Sequence, residues 1–205
     1  MIAGLLCTED CGGRAPAPSA TTHPPSWLRR TLPAVADESV VFRAITEDDL
    51  PFLQELIDNP DEAGAFMWQG FRDPQEWRRR WNAGGLVGER GGVVLVLAGG
   101  EPAGFVSWDQ NQWFGRPCWS LGVQLAAGVR GRGVGTRVHE LIVSYLFAET
   151  VLDRIEAYTD VDNVAERRAL EKSGFELEGI LRRASFRAGQ WHDGVLYSAI
   201  RQPLS

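Results

Sequence analysis

Hydrophobic and polar positions follow two spacings in the first half of the chain, and each spacing predicts a different element. The segments SVVFRAI and WSLGVQL and the longer run VVLVLAGGEPAGFVSW are rich in β-branched and aromatic residues, which is typical of strands. The Gly-Gly pair inside the longer run predicts a hairpin turn. Leu50, Leu53 and Leu56 recur at helical spacing after Thr46, which predicts a helix over residues 47–58 with that threonine as N-cap.

The second half of the chain continues this alternation. An amphipathic helix is predicted after residue 135, because apolar residues recur there at helical spacing: Val138, Leu141, Ile142, Tyr145 and Leu146. RIEAYTD predicts a strand, residues 164–173 a short helix, and FELEGILRRASFRAGQWHDGVLYSAIR a closing pair of strands. The hairpins favour antiparallel pairing, and the crossover through residues 136–150 favours one parallel, right-handed connection. The predicted class is therefore α+β, with a mixed and mostly antiparallel sheet.

Composition divides the chain in two. Residues 1–36 are rich in Pro, Ala, Ser, Thr and Gly, which predicts a flexible tail before a folded domain at residues 37–205. The tail holds three arginines and two acids, a net +1, so a total of -6 leaves -7 for the domain. Because nucleic-acid binders need a cationic footprint, this acidity argues against nucleic acid as a partner.

Cysteine usage and hydropathy bear on location. The three cysteines, Cys7, Cys11 and Cys118, are too few for a disulfide framework, and with only three histidines they predict no metal site. The first ten residues lack a basic segment typical of a signal peptide, and no apolar run approaches the roughly eighteen residues of a membrane span. We expect a cytoplasmic protein with no membrane partner, and the sequence is compatible with a homodimer.

The segment VRGRGVGT is the strongest functional motif. Its glycines let the backbone fold closely around an anion at a helix N-terminus, and its arginines match phosphate geometry. A P-loop would need Gly-Lys-Ser/Thr, and the loop has no lysine. A Rossmann fingerprint would need a third glycine where Val138 stands and a repeating parallel sheet, which the hairpins oppose.

Three segments together resemble the GNAT superfamily of N-acetyltransferases. RGRGVG matches R-x-x-G-x-G, with Arg130, Gly133 and Gly135 at the defining positions. DVDNVAERRALEKSGFELEGILR resembles the next family segment, where an asparagine opens a helix that ends in Lys-x-Gly-Phe. GQWHDGVLYS has the ending typical of the RimJ/RimL-like branch, which includes the ribosomal-protein N-terminal acetyltransferases. The resemblance covers residues 39–202 with order and spacing intact.

The resemblance implies both a fold and a reaction. The GNAT fold would give a six- to seven-stranded sheet with helices on both faces and a parallel strand pair that splays apart to hold acetyl-CoA. The implied reaction is direct attack of a primary amine on the acetyl thioester, without a metal, with the Val123 N–H stabilising the oxyanion. The implied cofactor-binding residues are Val123, Leu125, Arg130, Gly131, Arg132, Gly133, Val134, Gly135, Thr136 and Asn163.

The family's usual proton-transfer residues are missing from this chain. Leu170 stands where many relatives carry a tyrosine acid, and Glu166 stands where the RimJ/RimL-like branch often has serine. Glu156, Glu166 and Asp109 are the candidate catalytic residues, and Glu156 comes first because it shares a strand face with Tyr158. A structural ion pair with arginine is the alternative for Glu156. A catalytically weak acyl-CoA-binding sensor or scaffold is the alternative function.

Two further expectations concern Asn163 and the amine substrate. Asn163 and Glu166 have the spacing of a capping box, a structural role that is compatible with cofactor binding. Most of the eight tryptophans lie in residues 66–81 and 108–119, where aromatic walls would suit an amine on an apolar body. The expected substrates are a peptide or protein N-terminus, an amino-sugar antibiotic or another amine metabolite. The predicted substrate-pocket residues are Trp68, Phe71, Trp108, Trp113 and Tyr158.

Overall fold

Strands and helices alternate along the part of the chain that a computed structural model describes: residues 40–68, 70–84, 86–113 and 116–202, with the backbone alone at Trp113. The predicted tail, with Cys7 and Cys11, lies outside the described residues. The strands are β1 Val40–Ala44, β2 Val87–Gly88, β3 Gly91–Ala98, β4 Glu101–Trp113, β5 Arg116–Leu125, β6 Arg154–Asp160, β7 Glu176–Arg187 and β8 Gln190–Ile200. The helices are α1 Leu50–Asp58, α2 Pro60–Met67, α3 Glu76–Asn82, α4 Val134–Glu149 and α5 Val164–Lys172.

The strands form one mixed sheet in the order β1-β3-β4-β5-β6-β8-β7, with β2 attached to β3. Only β5 and β6 pair in parallel, and α4 connects them. The other pairings in the described residues are antiparallel. The predicted α+β class is confirmed. The sheet has eight strands instead of six to seven, because two residues of β2 add a short strand.

Alternation along the strands divides the core between the two faces of the sheet. Helices α4 and α5 pack on one face, where Val106, Leu121 and Ile155 are buried with Ile142. Helices α1 and α3 pack on the other face, against Val93, Leu95 and Phe105 of β3 and β4. We call these the α4 face and the α1 face. Because successive side chains point to opposite faces, Glu156 lies on the α1 face, between two residues of the α4 face.

The start of the first helical segment shows how local chemistry sets an element boundary. Residues Glu47–Asp49 form a 3-10 turn that precedes α1, with Thr46 at its N-cap as predicted. The Asp49 carboxylate accepts hydrogen bonds from the Thr46 N–H and from Arg43, and the Arg43 guanidinium lowers the pKa of Asp49 to about 2. Pro51 then lies in the first turn of α1, where its fixed φ angle suits a helix start.

Helix α2 was not predicted from the sequence. It is only eight residues long, and Gly64 interrupts it with φ 73° and ψ 174°. Asn59 begins it by accepting a hydrogen bond from the Asp61 N–H. A helix this short, with a glycine inside it, gives almost no helical periodicity.

The described helices also bear on membrane insertion. None of them combines the length and the apolar character that crossing a bilayer requires.

The α1-face core yields a stability prediction. Leu53 is fully buried, so Leu53→Ala should lower the free energy of unfolding by about 2–5 kcal/mol through lost burial and the cavity left behind. Val151 is 94% exposed, and Val151→Ala should change it by less than about 0.5 kcal/mol. Urea unfolding of both variants measures the difference. Equal effects would contradict the core assignment.

Candidate functional site: a gap between parallel strands and a cleft on the α1 face

The two parallel strands separate after a short contact. Strand β5 pairs with β4 along its whole length, from Arg116 to Leu125. It pairs with β6 at only three positions, the last joining Leu121 to Ala157. Beyond that point residues 122–125 and 158–160 face each other without pairing. The backbone groups along this gap are therefore available to a bound molecule that lies between the strands.

The N-terminus of α4 adjoins the C-terminal end of β5. Gly133 is the N-cap, with φ 84°, and no side chain of the described residues makes a capping hydrogen bond there. Gly131 also has positive φ, at 74°, and a Cβ added at either glycine would meet no atom of the described residues within 4 Å. The first N–H groups of α4 and its positive dipole end are thus open to an anion. This is the arrangement that a diphosphate requires.

Arg130 connects the end of β5 to α2. Its Nε and Nη2 donate to the Leu125 carbonyl, at 3.0 and 2.7 Å, and Nη2 also donates to the Glu62 carbonyl. These bonds hold the guanidinium beside the glycine loop, and its contact with phosphate stays a prediction. Arg132 is exposed at the tip of the loop.

The remaining loop residues join three elements. Val134, Gly135 and Thr136 form the first turn of α4. A Cβ at Gly135 would lie 3.7 Å from Leu125 Cδ1 and 3.8 Å from Ala169 Cβ, so this position brings α4 close to both β5 and α5. Val123 and Leu125 lie on the stretch of β5 that pairs with β4 but not with β6. The predicted cofactor-binding residues on β5 and α4 are thus brought together around the gap.

Asn163 begins α5, and its side chain is engaged at both ends. Its Oδ1 accepts from the Glu166 N–H at 3.3 Å, and its Nδ2 donates to Thr159 Oγ1 at 3.1 Å. The second bond of the predicted capping box, from the Asn163 N–H to the Glu166 carboxylate, does not form. The Glu166 carboxylate instead lies 2.8 Å from Nε2 of His139, a residue of α4 that is only 1% exposed. Glu166 therefore links α4 to α5.

Glu156 lies in a polar row that crosses the sheet. Asp109, Ser120, Glu156 and Ser198 are paired neighbours on β4, β5, β6 and β8, so their side chains share the α1 face. Strand spacing puts the Cα atoms of Asp109 and Glu156 about 10 Å apart. Glu166 belongs to α5 and is not part of this row. The three predicted catalytic acids are therefore not one cluster.

Glu156 is almost fully buried and is bonded at both oxygens. Arg154 Nε donates to its Oε1 at 2.7 Å, and the Tyr158 hydroxyl donates to its Oε2 at 2.6 Å. Glu156 is 4% exposed, whereas Tyr158 is 38% exposed. The ion pair with arginine, which was the alternative prediction for Glu156, is thus observed. The Tyr158 hydroxyl also connects the same carboxylate to the surface.

A cleft of about 530 Å³ lies on the α1 face over β5, β6 and β8. We call it the sheet cleft. It contains Glu156 and Tyr158, together with residues that sequence reasoning did not single out as site residues: Arg116, Pro117, Cys118, Asp153, Arg154, Leu181, Leu196 and Ile200. Seven of the missed residues come from four strands that meet only in the folded sheet, Asp153 directly precedes β6, and none of the eight stands at a defining position of a motif. Burial, followed by the nearby Glu156 charge, raises the pKa of the Cys118 thiol.

Asp109 opens into a different cavity. This space of about 190 Å³ lies between the helices of the α1 face and strands β4 and β5. Asp109 and Ser107 line it together with Arg72, Arg80 and Gln124. Asp109 therefore shares the polar row with Glu156 but does not line the sheet cleft.

The predicted aromatic pocket residues are dispersed. Trp108 is 4% exposed and packs on the α4 face against Tyr145, with ring centroids 5.9 Å apart, so it belongs to the core. Phe71 is fully exposed and meets Trp68 edge to face on the surface. Trp113 ends β4, and its side chain lies outside the described part of the chain. Of these aromatic residues, Tyr158 is the one that lines the sheet cleft.

One group of side chains has a spacing compatible with metal ligation: Asp160, Asp162 and His192. Arg187 Nη2 already donates to Asp160 Oδ2 at 2.6 Å. A metal cation here would have to compete with that guanidinium for the same oxygen. These residues are therefore better explained as an ion-paired cluster.

Comparisons with known proteins agree with this geometry. Residues 39–176 match the model of the acetyltransferase (GNAT) domain family. YdaF of Bacillus subtilis, a putative ribosomal N-acetyltransferase, is 26% identical over 81% of this chain and 93% of its own. YjcK of the same organism, a probable N-acetyltransferase, is 40% identical over 36% of this chain, and the match spans only 40% of that protein. An aminoglycoside N(6')-acetyltransferase of Klebsiella pneumoniae is 24% identical over 70% of this chain and 77% of its own.

Solved structures show the same fold. RimL, a ribosomal L7/L12 alpha-N-protein acetyltransferase in complex with coenzyme A, superimposes with a TM-score of 0.66 at 21% identity, covering 80% of this chain and 95% of its own. The spermidine N-acetyltransferase of Vibrio cholerae, in complex with CoA and spermine, gives 0.70 at 19% identity, covering 80% and 96%. These comparisons confirm two predictions, the family and the reaction class of acetyl-CoA-dependent N-acyltransfer. With its family model matched over most of the domain and its fold shared, the chain belongs to the GNAT acetyltransferase family.

Proposed function

We propose that this protein transfers the acetyl group of acetyl-CoA to a primary amine by direct attack. The observation that carries the proposal is the position of the strand gap, which opens after Leu121 and Ala157 beside the uncapped N-terminus of α4. Acetyl-CoA supplies the activated thioester. The proteins to which the chain is similar include acetyltransferases of ribosomal proteins, spermidine and aminoglycosides, which is consistent with a primary amine as substrate.

The cofactor would be held mainly by backbone groups. The N–H groups of residues 131–136 would bind the diphosphate, and on the β6 side of β5 the backbone of Val123 and the N–H of Leu125 would bind the pantetheine arm. The Val123 N–H is the proposed oxyanion donor. Asn163 keeps one amide hydrogen beyond its bond to Thr159, and this hydrogen would reach the same arm.

Glu156 is the proposed general base, acting through Tyr158. An alkylammonium group must lose a proton before its nitrogen can attack. The amine would pass this proton to the Tyr158 oxygen while the phenol passes its own to Glu156, along the 2.6 Å bond. Arg154 holds the other carboxylate oxygen and keeps the group in place. The C–N bond forms and the C–S bond breaks. The nitrogen loses two protons in all, which would leave through Tyr158 and Glu156 to solvent, and the thiolate sulfur takes up one proton.

Glu166 is the proposed relay for the proton that reaches sulfur, which it would take up from solvent and pass to the thiolate. It lies in the first turn of α5, three residues after Asn163, and its side chain is about one quarter exposed. His139 fixes its carboxylate. Glu156 on β6 would thus remove protons from the nitrogen, and Glu166 on α5 would deliver a proton to the sulfur. Asp109 is assigned no proton transfer in this scheme, because it opens into the other cavity.

The properties of Cys118 favour direct attack of the amine on acetyl-CoA over a mechanism in which the acetyl group is first transferred to this cysteine. Its thiol is 2% exposed, and burial together with the Glu156 charge raises its pKa. Since the thiolate is the reactive form, a thiol kept neutral at pH 7 is a poor nucleophile.

The loop assignment is tested by Gly133→Val. The added side chain would occupy the approach to the α4 N–H groups, so acetyl-CoA binding should be lost while the fold persists. Isothermal titration with acetyl-CoA measures the affinity, and circular dichroism checks the fold.

Gly189→Val is the matched control for this substitution. Gly189 has φ 81°, close to the 84° of Gly133, and its added Cβ would also meet no atom within 4 Å. Both variants carry the same backbone strain, but Gly189 lies in the turn between β7 and β8. Similar acetyl-CoA affinities for the two variants would show that the loop does not bind the diphosphate.

The base assignment is tested by Glu156→Gln. If Glu156 removes the amine proton, the variant should lose about 100-fold or more in kcat/KM for the amine near pH 7, and the loss should shrink at high pH, where more of the amine is already neutral. The KM for acetyl-CoA should not change. Stopped assays of thiol release across pH 5 to 10 measure both constants.

Glu178→Gln is the control for the base assignment. Glu178 accepts a second bond from Arg154 at 3.0 Å but is 40% exposed and outside the sheet cleft. If Glu156 served only to hold Arg154, the two variants should have similar pH profiles, and the proposed base would be rejected.

A further inference from the structure

The lining of the sheet cleft carries information about the amine substrate. Four of its residues are apolar, namely Pro117, Leu181, Leu196 and Ile200. The cleft volume of about 530 Å³ lies within the range of small-molecule sites. Helices α1, α2 and α3 contribute no residue to it, so among the described residues its walls are formed by strands and by Asp153 directly before β6.

The cleft is continuous with the proposed base. Tyr158 and Leu196 are directly paired across β6 and β8, and Glu156 pairs with Ser198 two residues away on the same two strands. An amine whose nitrogen reaches Tyr158 would therefore place its carbon body against the apolar residues of β8.

The charges of the cleft are balanced. It contains two arginines, Arg116 and Arg154, and two carboxylates, Asp153 and Glu156, so the lining has a net charge of zero. Arg116 pairs with Asp153 at 2.7 Å, and Arg154 pairs with Glu156 at 2.7 Å. No carboxylate of the lining is left over to neutralise a second ammonium group. A polycation would therefore lose hydration in the cleft without gaining an ion pair.

We infer that the sheet cleft binds the body of a primary amine with a single positive charge and an apolar carbon skeleton, such as an arylalkylamine or a peptide α-amino group beside an apolar side chain. This inference rests on the proposed function. It separates this chain from the relatives that act on spermidine and aminoglycosides, whose substrates carry several ammonium groups.

The substrate class is tested with the full chain and saturating acetyl-CoA. Thiol release is followed with 2-phenylethylamine, a peptide with N-terminal Leu-Ala, spermidine and kanamycin. The kcat/KM of at least one of the first two should exceed those of spermidine and kanamycin by about tenfold or more. Faster acetylation of spermidine or kanamycin would overturn the inference and leave the proposed function intact. Acetyl-CoA binding with no transfer to any amine would instead reject the proposed function.

The location is tested by filling the cleft. Leu181→Trp should raise the KM of the preferred amine about tenfold without changing that of acetyl-CoA. The neighbouring Ile180 is 60% exposed and does not line the cleft, so Ile180→Trp is the matched control and should change neither. An unchanged amine KM in Leu181→Trp would show that the amine binds elsewhere. A change in sedimentation mass for Leu181→Trp alone would show that a second copy covers the cleft, and would also overturn the inference.

Charge provides an independent test. Arg116→Glu changes the net charge of the lining from zero to -2, and Arg116 is largely exposed, so the substitution should not disturb the fold. The ratio of spermidine to 2-phenylethylamine turnover should rise about tenfold or more because the added carboxylate attracts a second ammonium group. No change in this ratio would contradict the role assigned to charge balance.

Discussion

The site depends on an unequal sharing of β5 between its two neighbours. Pairing with β4 continues to Leu125, whereas pairing with β6 ends at Leu121. Gly104 lets β4 follow β5 closely, since a Cβ there would lie 2.1 Å from the Gln124 carbonyl oxygen. Arg130 fixes the last carbonyl of β5 toward α2. Strand β5 is thus held on the β4 side, and the gap on the β6 side stays open for a ligand.

The two faces of the sheet beside the gap suit different ligands, the cofactor on one face and the amine on the other. On the α4 face, helix termini and backbone groups surround the place where a diphosphate and a pantetheine arm would lie. On the α1 face, Glu156, Tyr158 and the sheet cleft form a polar and apolar surface suited to an amine. Since strand side chains alternate between faces, neighbouring residues of β6 can serve the core and the site at once. In the proposed arrangement, the short contact between β5 and β6 would lie between the cofactor and the substrate.

Arg130 holds a defining position of the glycine motif, and its Nε and Nη2 donate to backbone carbonyls of β5 and α2. These bonds fix the course of the loop between β5 and α4. The proposed direct donors to a diphosphate are the N–H groups of the glycine loop and of the first turn of α4.

Local periodicity in the sequence determined most of the elements, including β6, both hairpins and the buried stripe of α4, because these depend on contacts between residues close in the chain. The glycine motif likewise determined the helix N-terminus that the fold presents. Only the tertiary structure decided that Trp108 lies in the core, that Glu166 binds His139, and that Glu156 and Asp109 open into different cavities. The physical reason is that strand register and sheet order bring distant residues together, and no short-range pattern records which strand lies next to which.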